Sequence, residues 1–350
     1  MNIPSFPSRK VRILLLSLLM PVLLGGMWTW WAESHRDQER ELRNLVQDHL
    51  EEWFPGPMQA SSGQYGLLRH GSAVRTENPR SVVLVHGLDE PGGIWHDLVP
   101  VLEAMELEVW EFRYPNDQAI DRSVQLLAVA WATLEGRRDV VMIGHSMGGL
   151  VIRDFVSRLR HPVGASPLID GPAISGVILV GTPSQGSEWA RLRVWLELRE
   201  YFTTVTDRRF SLFAALRDGT GAAKVDLHPG STFLAGLNGR DWPQQVPVTI
   251  IGGSMPTTPA PLEESFRAIS EDFVSPELEQ ALKAQVAELG DVVGDGAVAV
   301  ASLSFPGGPP PILVPASHRG LLARRVPSDP QPPAIAHIVA SIRAWEAGRE

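Results

Sequence analysis

Short, unbroken apolar runs alternate with amphipathic stretches through most of this chain. Ser81 to Val85, Leu107 to Phe112, Asp139 to Ile143, Ile174 to Val180, Val246 to Ile251 and Ile312 to Val314 each read as a strand. Such runs carry little polar alternation, which suits strands buried on both faces. Trp95 to Met105, Ser123 to Leu134 and the stretch after Ser146 carry apolar residues at helical spacing, and Ala334 to Trp345 closes the chain as a helix. Strand–helix alternation predicts an α/β fold, a mostly parallel sheet with helices on both faces. Two long interruptions, 184–245 and 254–295, contain helical patterns of their own. They read as a helical cap, since insertions at a sheet's carboxyl edge often cover a site.

The pattern changes at the N-terminus. Arg9, Lys10 and Arg12 precede an uncharged run from Ile13 to Trp31, with Trp28, Trp30 and Trp31 at its far end. A run of that length is enough to span a bilayer as a helix, and tryptophans favour the membrane–water interface. Residues 1–32 therefore read as an N-terminal membrane anchor. The basic flank places the N-terminus in the cytoplasm and the bulk of the chain in the periplasm or outside the cell. A cleaved signal peptide is the rival reading. Residues 33–60 follow as a linker helix packed on the domain, with Leu42, Leu45, Val46, Leu50 and Trp53 near helical spacing and Pro55-Gly56-Pro57 ending it. Residues 61–350 form the main domain.

Composition removes several classes of function. The chain has 350 residues and a net charge of -9 without a long basic stretch, which argues against nucleic acid as a partner. It has no cysteine, so disulfides, a cysteine nucleophile and thiolate metal sites are excluded. Its ten histidines show no His-Glu-x-x-His spacing, so no metal is indicated. No Gly-x-x-x-x-Gly-Lys-Ser/Thr loop is present, and no cofactor is implied.

The candidate chemistry centres on Gly144-His145-Ser146-Met147-Gly148. It lies between a strand and a helix, the context in which a tight turn lifts a serine hydroxyl clear of the backbone. Ser146 is the candidate nucleophile. His86-Gly87-Leu88 leaves the neighbouring strand, and the amides of Leu88 and Met147 are the candidate oxyanion donors. His86 and His145 read as locally packed residues. Of the downstream histidines, His161 lies too near the back of the domain, His228 lies in an insertion and His337 lies in an apolar helix. His318, just past a late strand's carboxyl end, is the candidate base. Asp295, between Gly294 and Gly296, is the candidate acid, with Asp291 as runner-up and Asp241 and Asp272 as weaker alternatives.

Together, Val85-His86-Gly87-Leu88, Gly144 to Gly149, Val180-Gly181-Thr182-Pro183 with Gly186-Ser187, Gly294 to Val298 and Ser317-His318 run in one order across about 81–345. In these motifs the chain resembles the α/β-hydrolase fold lipases and esterases. It is most similar to bacterial triacylglycerol lipases and membrane-anchored inositol-deacylase-like esterases. The resemblance implies the α/β-hydrolase fold, a Ser146–Asp295–His318 triad, a helical cap and an ester or lipid substrate. No aspartate pattern for the structural calcium of some such lipases is evident. The same triad would also serve an acyltransferase, a thioesterase or an amidase. A catalytically silent scaffold that binds partners is the reading from a different class.

Overall fold

The computed structural model describes residues 20, 26–28, 30–58, 65–71, 80–88, 93–187, 219–254, 294–324 and 326–348. Seven strands form one sheet: β1 (Gly66–Arg69), β2 (Ser81–Val85), β3 (Glu108–Arg113), β4 (Asp139–His145), β5 (Ala173–Val180), β6 (Val248–Gly253) and β7 (Ile312–Val314). Their spatial order is β1-β3-β2-β4-β5-β6-β7. β1 runs antiparallel to β3, and every other pairing is parallel.

The apolar runs of the sequence become the inner strands because both of their faces are covered. Within β2, Val82 and Leu84 enter one hydrophobic cluster while Val83 and Val85 enter the other. One face is packed by α3 (Ile120–Ala130) and α4 (Met147–Asp154), the latter running on as a π-helical turn over Phe155–Arg160. The other face is packed by α2 (Val99–Ala104) and α8 (Pro333–Ala347), which buries Ala334, Ile335, Ile338 and Ile342 at helical spacing.

The differences from the sequence reading have local causes. β1 was not expected: Gly-Leu-Leu-Arg is short, has no β-branched residue and pairs only at the sheet edge. β6 begins at Val248 instead of Val246, because Pro247 has no N–H for the ladder and contributes only its carbonyl, to Val177.

The linker reading of 33–60 corresponds to α1 (Arg36–Trp53), which packs on the domain through its charged side. Of the insertion 184–245, residues 184–187 and 219–245 are described, and they hold α5 (Ala222–Asp226) and α6 (Thr232–Asn238). These helices join α1 to α3: Arg40 Nε donates to Asp226 Oδ1 at 2.6 Å, and Asp226 Oδ2 accepts the Ile120 amide at 2.8 Å. Asp226 thus supplies from a distance the cap that Ala119 cannot give to α3. The insertion 254–295 lies outside the described residues except at 254, 294 and 295, where α7 (Val300–Leu303) soon follows. The anchor reading of 1–32 falls mostly outside the described residues. Among those described, no helix is long and apolar enough to cross a membrane.

The sheet order places a switch point between β2 and β4, since the chain steps from β2 outward to β3 and then returns across β2 to β4. Crevices beyond the carboxyl ends of strands at such a point are where open α/β sheets bind ligands. β2 ends there in His86-Gly87-Leu88, and β4 ends there in His145-Ser146.

Candidate active site

Ser146 stands at the apex of the turn between β4 and α4 with φ 53° and ψ -129°. Among the described residues the only other non-glycine residue with positive φ is Glu106. A serine held there is strained by about 1–3 kcal/mol, so its surroundings must over-determine the turn. They do. The Ser146 N–H donates to Val180 O on β5 at 2.8 Å, and the Ser146 carbonyl accepts from Gly149 at 3.0 Å. Helix α4 can begin so close to β2 only because residue 148 is glycine: a β-carbon there would stand 2.1 Å from Val85 O. Gly87 of the neighbouring strand end also lies close: a β-carbon there would stand 2.8 Å from Ser146 Cβ and 3.4 Å from its hydroxyl.

His318 follows β7 and is fastened by its main chain and its ring. Its N–H donates to Asp295 O at 2.8 Å, and its Nδ1–H donates to Asp295 Oδ2 at 2.8 Å. Asp295 is buried, and its second oxygen, Oδ1, accepts the amides of Ala297 (2.9 Å) and Val298 (2.8 Å). Three donated bonds fix the carboxylate in a single orientation, and a fourth ties the main chains of His318 and Asp295 together. Gly294 makes the turn possible: its φ is 54°, and a β-carbon would lie 2.2 Å from Val298 O. The His318 ring lies over Gly181, whose missing β-carbon would be 3.1 Å from Cε1 and Nδ1. Gly181 is the residue after Val180, the partner of the Ser146 amide, so serine and imidazole flank the same stretch of backbone.

With Nδ1 committed to Asp295, Nε2 is the ring nitrogen left to act as a base. Among the described residues the Ser146 hydroxyl and His318 Nε2 make no hydrogen bond to each other or to another group. Catalytic hydrogen bonds are often long in a ligand-free site and tighten when substrate binds.

The two oxyanion candidates occupy suitable places. Met147 opens α4, where unpaired amides and the helix dipole favour negative charge. Leu88 follows the end of β2. Neither amide is taken by a backbone carbonyl among the described residues. The β2 end is held by Tyr114, a residue the sequence reading passed over. Its hydroxyl donates to His86 O at 2.6 Å, and its ring stacks on His86 with centroids 4.6 Å apart. Burial pushes the Tyr114 phenol up, so it stays a donor, and burial holds the His86 imidazole below its ordinary value.

His145 does more than pack locally. Its Nε2–H donates to the main-chain carbonyl of His318 at 3.2 Å, 173 residues away, and the two rings lie 4.7 Å apart. Burial, and then the neighbouring His318, hold His145 well below the ordinary imidazole range. It is therefore a neutral prop under His318. The available signal was a polar residue closing an otherwise apolar strand.

The remaining alternatives stand apart from this cluster. His161 accepts the Ile174 amide near the start of β5, at the opposite edge of the sheet. His228 is buried in the insertion, its Nδ1–H on Pro229 O at 2.8 Å. His337 lies on α8, and Asp241 is exposed. Asp272 and Asp291 lie outside the described residues. No group of three or more histidines and carboxylates able to hold a metal occurs among the described residues.

A sequence model of the alpha/beta hydrolase family matches residues 82–295, more than half of the chain. The chain belongs to the alpha/beta hydrolase family. Solved structures that share this hydrolase fold include a metagenomic carboxyl esterase, 18% identical with a TM-score of 0.52, covering 88% of this chain and 91% of that one. A Staphylococcus hyicus lipase is 12% identical with a TM-score of 0.50, covering 78% of this chain and 97% of that one. The propeptide form of a Bacillus licheniformis lipase is 15% identical with a TM-score of 0.50, covering 75% of this chain and 51% of that one. No curated protein matches the sequence. At these identities the structural likeness shows the hydrolase fold and leaves the substrate to the site itself.

Proposed function

We propose that this alpha/beta hydrolase is a serine carboxylic-ester hydrolase of the lipase and esterase type, tethered to a membrane by residues 1–32 with its catalytic domain in the periplasm or outside the cell. The observation that carries the reaction is the buried Asp295 gripping the Nδ1–H of His318, beside a strained Ser146 at the sheet's switch point. That arrangement presents His318 Nε2 as a general base. As an ester carbonyl enters, Nε2 takes the Ser146 proton while Oγ bonds to the carbonyl carbon. Charge develops on the carbonyl oxygen, and the Leu88 and Met147 amides stabilise it. Losing one such donor typically costs about 100- to 1,000-fold in rate. The tetrahedral adduct collapses, the protonated imidazole hands its proton to the departing alcohol, and the acyl group stays on Ser146. Water, activated by the same imidazole, releases the acid and restores the serine. Asp295 holds the tautomer throughout and stabilises the imidazolium. The neighbours of the same fold include a carboxyl esterase and lipases, which agrees with an ester substrate.

A fluorophosphonate probe tests the assignment directly. The wild-type chain is expected to be labelled and to turn over short acyl esters, and Ser146→Ala to do neither. Undiminished labelling of a folded Ser146→Ala protein overturns the reading.

A further inference from the structure

Helix α1 is turned inside out. An ordinary surface helix buries its apolar stripe and shows its charged face to water. Here Glu39, Arg43 and Gln47 face the domain, with Glu39 and Gln47 buried. Arg40 reaches Asp226 and Asp121, Arg43 donates to Thr220 O, Thr220 Oγ1 donates back to Arg43 O at 2.7 Å, and Thr232 bonds Asp37 at 2.6 Å. The apolar residues Leu42, Leu45, Val46 and Trp53, spaced as one helical stripe, point outward, with Leu45 52% and Trp53 66% exposed. Phe54, just past the helix end, is exposed as well.

We infer that this stripe lies in the headgroup layer of the membrane that holds the preceding apolar run. The inference rests on the anchoring of residues 13–31 proposed above. The connection is short: from Trp31 to Arg36 the chain makes five Cα steps and reaches at most about 18 Å. A run embedded up to Trp31 therefore delivers the start of α1 to the lipid surface. The side chains suit that surface, since Trp28, Trp30 and Trp53 are exposed indoles and indoles favour the interface. Exposed Glu41 and Glu52 flank the stripe, so attachment is apolar and needs no anionic lipid. Because the polar side of α1 is bolted to α3, α5 and α6, seating α1 on lipid also fixes how the catalytic domain sits over the membrane.

The absence of cysteine makes the test direct. Single variants Leu18→Cys, Leu45→Cys and Leu168→Cys of the full chain carry an environment-sensitive fluorophore in phosphatidylcholine vesicles. Ester turnover reports that each variant is folded. We expect brominated lipid to quench positions 18 and 45, aqueous iodide to quench position 168, and raised salt to leave position 45 unchanged. Lipid quenching at 18 with iodide quenching at 45 overturns the inference and leaves the anchor standing. Iodide quenching at both 18 and 45 overturns the anchor and the inference together. Shielding of position 45 from both quenchers means that protein covers the stripe, which also overturns it.

Discussion

Asp295 and Ser146 show how much single residues decide. Asp295→Asn keeps the size of the side chain, but an amide can present a donor to Nδ1 and so favour the wrong imidazole tautomer. We expect kcat on a short-chain ester to fall about 10,000-fold with the melting temperature little changed, the scale known for this substitution in a serine protease triad. A loss below tenfold, measured on folded protein, would remove Asp295 from the proposed role. The buried histidines give a second prediction, about pH. His86 and His145 titrate below their ordinary value in the fold because burial opposes their charged forms. In the unfolded chain they take protons near pH 6.5, so as pH falls below that value the unfolded state binds more protons and stability declines. Thermal melts from pH 8 to 5 should therefore slope downward on the acid side, and His145→Gln should flatten the slope. Glu108 acts in a lower window. Burial would raise Glu108, but hydrogen bonds from Arg137, Trp110 and Ser81 bring it down to about 2, so its stabilisation fades only between about 4.5 and 2.

Elements explain why Ser146 and its partners could be found in the sequence while their supports could not. A turn motif sits inside five residues, and the strand and helix around it leave periodic traces. The triad candidates each close a strand or occupy a glycine turn, so order along the chain together with place at a strand's end singled out His318 among four downstream histidines. Supports act across the fold: His145 on His318 and Tyr114 on His86 span 173 and 28 residues and leave no local pattern. For α1 the apolar spacing predicted a helix packed on the domain but not which side packs, and ion pairs with Asp121 and Asp226 turn the charged side inward. Those pairs make the prediction at this scale. Asp226 is fully buried, pairs with Arg40 and caps α3. Arg40→Ala would strand the carboxylate without its partner, a change that typically costs roughly 3–5 kcal/mol. Urea titration should show a lower midpoint. A double variant, Arg40→Met with Asp226→Asn, should recover part of the loss, and equal midpoints for wild type and Arg40→Ala would show that the clamp contributes nothing.

For the whole molecule, the proposed function depends on which side of a membrane the sheet's carboxyl edge faces. Within the described residues, the site faces the crevice between the ends of β2 and β4, and α1 leads from the domain toward the N-terminal run. Arg9, Lys10 and Arg12 lie on the far side of that run, and short basic flanks stay in the cytoplasm. The proposed orientation puts the domain on the opposite side, where a chain without cysteine carries no thiol to oxidise. This orientation predicts a protease result in bacterial cells that express the full chain with a C-terminal tag. Added protease should remove the tagged domain from spheroplasts while a cytoplasmic marker survives, and intact cells should protect the domain if it lies in the periplasm. Replacing Arg9, Lys10 and Arg12 together with Gln weakens the orienting charge and should leave a protected fraction in spheroplasts. A wild-type domain protected together with the cytoplasmic marker would reverse the topology, and the ester substrate would then have to be sought on the cytoplasmic side.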